Sequence, residues 1–458
     1  MKQSILTTII TSEAQNQLQA LVKEYLDLGW TLSKKISKYS IELSFQKNSQ
    51  VKIECHSNGL MKTFAHLNKE GLKQGYTIKW YISGQKKEKK RFHCGVQHGK
   101  FSLWNSDGII VQKGEYNNGH EHGLWIDNYN NGKIRYKQNW ILGKKDGVSK
   151  RWHPNGILRE HGKYQKGQKF GKWFSWHNSN QKKEELYFEY GVLNGPIKRW
   201  DHNGNVCLDG FYRNGKKVDT WRKYYKNGNE LEEVHFAEGR KTGIMKMWHP
   251  NGRLIQKKIF KDDVPHGKQI SWFISGHKKE DGTFINGIQN GTWEAWYDNG
   301  KRKSLITYKM GVRCGKFQTW FSNNHKKEEG SYKNGKKDNI WKRWYGDGQI
   351  ESEFQYQNGL RHGLCKQWYP NGEKAFKIQY ENGKFHGDWF EWYDKGNLKK
   401  NQQFNHGIQN GKCTHWHDNG IKKLECFFKN GEMNGKFIQW DTSGEIIQDF
   451  TYSRGVVT

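Results

Sequence analysis

The chain has 458 residues, of which 34% are hydrophobic and 15% aromatic, and its 52 glycines stand against 5 prolines. Apolar material concentrated in few, large side chains, with abundant glycine and little proline, excludes an unstructured chain, which would be poor in aromatics. No stretch approaches the about 18 apolar residues of a membrane-crossing helix, and a formal charge of +31 directs attention to anionic partners.

Residues 1–55 read as a small α/β cap. Ser12-Glu13 marks a helix start, and Leu18, Leu21, Val22, Tyr25 and Leu26 fall at helical spacing until Gly29. Ile41, Leu43 and Phe45, then Val51, Ile53 and Cys55, alternate with polar residues as two strands joined by a turn over Gln46 to Gln50. The run Ile5 to Ile10 is broken by two threonines and makes a poor export signal.

From 56 to 458 the chain repeats every 24 residues, which is the mark of an array in which each repeat touches only its neighbours. A first imperfect repeat carries His56-Ser-Asn-Gly59, one residue out of step with the rest. Tryptophan then recurs from Trp80 to Trp440, with Asn128 and Tyr224 as the only departures. Turn glycines follow from Gly84 to Gly444, replaced only by Asn180 and Asn324. A second glycine ladder, Gly71 to Gly431, is broken by Asp263; a third, Gly75 to Gly435, by Asp219 and Asn339. Asparagine tolerates positive φ best after glycine, so Asn180 and Asn324 support the turn assignment of the first ladder. An aromatic ladder from Phe92 to Tyr452 has no exception.

Each repeat leaves room for two strands, one of about six residues such as Thr292 to Tyr297 and one of about eight such as Lys301 to Tyr308. In the second, apolar residues at even offsets (Ile350, Phe354, Tyr356) predict one buried face. In the first, Trp293 and Trp296 lie three apart, so either both faces are covered or a bulge intervenes. The Asn-Gly and Asp-Gly signals between short alternating runs predict hairpins. The fold class is therefore mostly β, an elongated array of about sixteen hairpin repeats in a twisted antiparallel sheet, behind the cap.

The pattern Tyr380-x-x-Gly383-x-x-His386-Gly387-x-Trp389-x-x-Trp392-Tyr393-x-x-Gly396 resembles the MORN repeat (membrane occupation and recognition nexus), closest to a bacterial variant found in antitoxin components. The resemblance covers roughly residues 56–458 and implies hairpin stacks serving as scaffolds, dimerisation surfaces or lipid-binding modules. The His-Gly pair is intact at 98–99, 122–123, 266–267, 362–363 and 386–387 and varied elsewhere, which argues against a role requiring it in every repeat.

Little in the chain points to catalysis. His153, His177, His249 and His417 occupy the slot after the ladder tryptophan, where other repeats place tyrosine or phenylalanine, and read as packing rings. The pairs His415/His417 and His120/His122 each offer two ligands where an open zinc site needs three. No glycine-rich segment opens a helix as a phosphate loop does, and a uniform repeated face lacks an asymmetric pocket. No enzyme, cofactor or metal is expected. The seven cysteines, at 55, 94, 207, 314, 365, 413 and 426, form no CxxC and read as reduced thiols, with Cys365 and Cys413 in one repeat position two repeats apart. Reduced thiols favour a cytoplasmic setting, with export left open.

Lysine pairs follow the turn at one offset: Lys86-Lys87, Lys182-Lys183, Lys278-Lys279, Lys326-Lys327 and Lys422-Lys423. They are the candidate contacts for an anionic partner. The expected function is a non-catalytic protein-binding scaffold whose partner is an acidic protein or a toxin, with the chain as antitoxin. The alternative is a peripheral membrane or polyanion-binding module using the basic repeats. Nucleic acid fits less well, because the pairs skip repeats, and self-association through the array or its ends is left open.

Overall fold

A computed structural model describes residues 30–37, 40–45 and 49–458, with side chains from 50 onward. The expected helix of residues 12–28 and the centre of the 46–50 turn lie outside the described residues. The described residues form forty strands and no helix, in two compact units that divide between Gly228 and Asn229. In each unit the strands pair antiparallel with their sequence neighbours. Ser49–Cys55 pairs on one side with Ser40–Phe45 and on the other with Met61–Leu67, so the strands of the first 55 residues run directly into the repeats. The turn at Gly59 has the same two hydrogen bonds as the turn at Gly300, although it is a residue out of step.

A typical repeat pairs a nine-residue strand, Ile288–Trp296, with an eight-residue strand, Arg302–Lys309. The first strand is longer than expected because the third glycine ladder lies inside it rather than in a turn. Gly291 sits there at φ +77°. Where the backbone bends more sharply at this glycine the strand is cut in two, as at Ile408–Gln409 and Gly411–Trp416, with Gly411 at φ +110°. The residues that replace glycine in the ladders all keep positive φ: Asn180 at 70°, Asp219 at 58°, Asp263 at 69°, Asn324 at 80° and Asn339 at 61°. The second glycine ladder closes two-residue turns with both residues left-handed, such as Met310-Gly311 at φ 48° and 78°. That turn twists the way paired strands twist.

The two tryptophans of the first strand face opposite sides. Trp293 is 5% exposed and Trp296 half-buried. The core of this sheet therefore runs not along the 24-residue tryptophan ladder but along an inner slot three residues before it. That slot holds Phe101, Trp125, Trp173, Ile197, Trp221, Met245, Trp293, Phe317, Trp341, Cys365 and Cys413, all buried. The even-offset reading of the second strand needs a correction for the same reason. Glu351 is an extra residue between the pairs Arg343↔Ser352 and Trp344↔Ile350, so Ile350 sides with the ladder Trp344 and Phe354 with the inner Trp341.

Five inner tryptophans share one arrangement. Trp125, Trp173, Trp221, Trp293 and Trp341 each lie over a glycine eleven residues earlier: Gly114, Gly162, Gly210, Gly282 and Gly330. A Cβ on Gly282 would stand 2.2 Å from the indole of Trp293, so no side chain fits there. In these repeats the glycine drops out of the pairing with the following strand, as Gly282 does between Asp281↔Glu294 and Thr283↔Asn290, while it stays paired with Gln269 of the preceding strand. The indole N–H then donates to the next carbonyl, Trp293 to Thr283 at 3.2 Å and Trp125 to Glu115 at 3.0 Å. The aromatic ladder supplies an edge-to-face partner, Phe284 to Trp293 at 5.0 Å and Tyr332 to Trp341 at 4.9 Å between ring centres. Trp389 is the inner tryptophan without a glycine. There Ile378 keeps its place opposite the ring, and Trp389 remains half-buried, stacked on Phe385 instead.

These contacts predict a size rule between slots. Trp293→Ala should cost about 3–5 kcal/mol and Trp296→Ala about half as much. Gly282→Ala should cost about 1–3 kcal/mol, and much of that loss should return when Trp293→Met is added, since Val234 and Met245 already pair in this way. Urea unfolding of the four variants, with hydrogen exchange over residues 278–309, reads the coupling. Strictly additive costs would contradict the rule.

Candidate functional site

The strand pairs that hold the inner slot also set where charge appears. The first lysine of each pair turns to the face of the ladder tryptophans. Lys278 lies 4.9 Å over Trp296 and 2.9 Å from Asp281; Lys326 lies 5.6 Å over Trp344 and 2.8 Å from Glu329. Lys422 covers Trp440 at 5.7 Å and pairs with Glu425 at 2.7 Å, and Lys182 covers Trp200 at 5.1 Å and pairs with Glu185 at 3.5 Å. Burial alone would raise Glu329 and Glu425, but Lys326 and Gln318 around the first, and Lys422 and Lys412 around the second, hold both below the usual carboxylate range.

The second lysine takes a different place, over the ring that follows the ladder tryptophan. Lys87 lies over Tyr81 at 5.3 Å, Lys279 over Phe273 at 5.6 Å and Lys327 over Phe321 at 5.4 Å. Lys86, Lys183 and Lys423 are exposed and make no ion pair among the described residues. The ten lysines therefore do not form one strip. Four of them are engaged with acids and rings of their own sheet.

The sequence reading missed a different basic feature, because it is assembled across strands. In the first compact unit, register places Lys89, Ser102, Lys113, Ile126, Lys137, Lys150 and His161 side by side, each opposite the next. No acid stands in that row. Further along the same unit the row continues through Phe174 into Glu185, Lys198, Asp209 and Arg222, where signs alternate. Lys137 and Lys150 are direct cross-strand neighbours of like charge, an arrangement that costs stability. Lys137 is partly offset by the Trp152 ring at 5.9 Å. Leu124, 52% exposed, and Val148 lie two residues along from Ile126 and Lys150, on the same face. The signal in the sequence was the ninth residue after each ladder position: lysine at 89, 113 and 137, then acids at 185, 209 and 233.

The histidines after the ladder tryptophans have a more specific task than packing. His153, His177 and His417 reach the carbonyl of the next ladder tryptophan through Nε2 at 3.2, 3.3 and 3.1 Å. The hydroxyls of Tyr81, Tyr297 and Tyr369 donate to the same carbonyl at 2.9, 2.9 and 3.0 Å. The slot favours a ring bearing a polar tip. The asparagine of the Asn-Gly turn adds a second tie, as Asn299 donates to Ser322 of the next turn at 2.9 Å.

Among the thiols, Cys365 and Cys413 do fill the inner slot, and all seven cysteines are free. Cys413 stands opposite Cys426, not near Cys365. A hydrogen bond from Cys426, with His415 at 3.5 Å, favours the Cys413 thiolate, while donating that bond pushes the Cys426 thiol up.

Residues 121–141, 145–166, 241–262, 289–310, 313–334, 337–358, 361–382 and 409–430 match a known repeat family, the MORN repeat variant. The first two matched MORN segments carry Ile126, Lys137 and Lys150 of the basic row. No curated protein matches the chain. Among solved structures, the crystal structure of TcdB2-TccC3-Cdc42 is similar at 10% identity and a TM-score of 0.14. The match covers 91% of this chain and 28% of that one, so the chain spans little more than a quarter of it, and at that score the likeness carries no argument.

The two kinds of lysine predict opposite stability effects. Lys150→Gln should stabilise by about 0.2–1 kcal/mol by removing like-charge repulsion, with the gain shrinking in high salt. Lys342→Gln, which loses an ion pair to Glu353 at 3.3 Å, should destabilise slightly. Urea midpoints at low and high ionic strength test the pair, and a loss of stability in Lys150→Gln would refute the reading.

Proposed function

We propose that this chain is a non-catalytic binding scaffold for an acidic protein, held along the row Lys89, Lys113, Lys137 and Lys150. The observation that carries the reading is a row of cations across neighbouring strands with no acid interposed in the row, Glu115 being the acid that stands two residues along from Lys113, whereas cations elsewhere pair directly with acids. A like-charge cross-strand pair is retained at a cost, and an anionic partner would offset it. The MORN-type repeats support a scaffold role in general. The more specific version, in which the partner is a toxin and this chain its antitoxin, rests on the resemblance of the repeat alone.

A second reading, peripheral attachment to an anionic bilayer, is favoured by Leu124 and Val148 standing exposed on the face that carries the row. Each lysine near such a surface contributes about 1 kcal/mol.

Recovery of one stoichiometric acidic protein from the native host, lost in about 0.5 M salt as surface pairs are screened, is the expected outcome. It should also be lost in the Lys113→Glu/Lys137→Glu/Lys150→Glu variant, while Lys278→Glu/Lys326→Glu should retain it. Flotation with anionic vesicles separates the bilayer reading: lipid-dependent flotation abolished by the same triple variant, without a protein partner, would replace the scaffold reading.

A further inference from the structure

In most repeats the residue six before the ladder position caps a turn. It accepts a hydrogen bond from the backbone N–H of the residue twenty later, the first of the two left-handed turn residues. Asp146 takes the N–H of Lys166 at 3.1 Å, Asn290 that of Met310 at 3.1 Å, His266 that of Asn286 at 3.3 Å and His362 that of Asn382 at 3.4 Å. This capping explains why histidine, asparagine and aspartate exchange there.

His386 departs from the pattern. Its Nδ1 is buried and makes no hydrogen bond. It faces Oε2 of Glu381 at 3.5 Å, and Nδ1 of His406 approaches the same oxygen at 3.3 Å. The two imidazoles lie 4.9 Å apart between ring centres, and one ligand atom from each of the three residues lies within 4.8 Å of the others. Glu381 ends the strand Lys374–Glu381, His386 lies in the next strand Lys384–Trp392, and His406 opens the turn after Leu398–Asn405 at φ 47°.

We propose that Glu381, His386 and His406 form a binding site for a single divalent cation of the zinc type. A tetrahedral centre with bonds of about 2.0–2.1 Å needs donor atoms about 3.3–3.5 Å apart, and both carboxylate–imidazole separations meet that spacing. Two imidazoles and a carboxylate are the donor set of borderline cations such as Zn2+, and three protein ligands leave a fourth position for water or an outside donor. The other His-Gly repeats lack the set. Where His386 has Glu381 and His406, His266 has Lys261 and Asn286, and His362 has Gln357 and Asn382. The three ligands belong to consecutive turns on one edge of the second compact unit, so the ion would clamp the turn at 382–383 to the turn at 406–407.

The test is titration of the chelator-treated full chain with Zn2+, and with Co2+ as a spectroscopic probe. His406→Asn places at that turn the residue found at 286, 358 and 382, so the fold is retained. The expected result is one Zn2+ per chain, an affinity about tenfold weaker or worse in His406→Asn and in Glu381→Gln, and no change in His266→Gln. Co2+ should give the visible bands of a tetrahedral nitrogen–oxygen site, and Zn2+ should raise the Tm of the unaltered chain but not of the two ligand variants. Equal affinity in all four proteins, or no binding by the unaltered chain, would overturn the proposal and leave the trio as a histidine–carboxylate cluster.

Discussion

With strands and no helix among the described residues, rings are buried against neighbouring strands, and the contact of Trp293 with Gly282 is how this chain does so. An indole laid flat on a neighbouring strand needs that strand to carry no side chain beneath it. Where the glycine is present it is the residue skipped in pairing with the following strand, whereas repeats without it skip the next residue, and the carbonyl beside the glycine accepts from the indole N–H. One substitution thus settles packing, register and hydrogen bonding together. Within each compact unit the glycine–tryptophan pairs recur at twice the 24-residue period, and the repeats between them fill the inner slot with smaller residues such as Ser149, Ile197 and Phe317.

Once the inner tryptophans take one face, the ladder tryptophans are left on the other, half in water. Their indole faces attract cations, and in many repeats the cation is the basic residue that begins the second strand of the preceding hairpin. A nearby acid completes the cluster. Much of the positive charge is therefore absorbed as local structure, which is why raw net charge overstates what the chain can offer a partner. The exceptions carry the information: the row from Lys89 to Lys150, where no acid is interposed, and the site at Glu381, where a turn cap has been released from its backbone partner.

Both features depart from what most other repeats do. Repetition supplies many internal controls, since the same position can be compared in a dozen chemical settings within one molecule. His266 and His386 occupy the same place in their hairpins, yet one caps a backbone N–H and the other faces a carboxylate and a second imidazole. The difference lies in the residues at 381 and 406, neither of which is adjacent in sequence to His386.

By itself the sequence determined the period, the hairpins and the turns. Each of these is local: glycine, asparagine and aspartate recurring at the turn positions declare positive φ there, and alternation declares a strand. Asn180 and Asn324 were readable as turn residues for that reason. What only the tertiary structure decided was which tryptophan is core. The ladder at 80 to 440 is the stronger pattern, but regularity in sequence reports position in the repeat and not depth in the fold, and depth is set by the strand that comes to lie alongside. The same holds for the lysines. Lys278 and Lys279 are neighbours in the chain and part to different surroundings, while Lys89, Lys113, Lys137 and Lys150 are far apart in sequence and meet in one row, because cross-strand register, which neighbouring residues do not encode, brings them together.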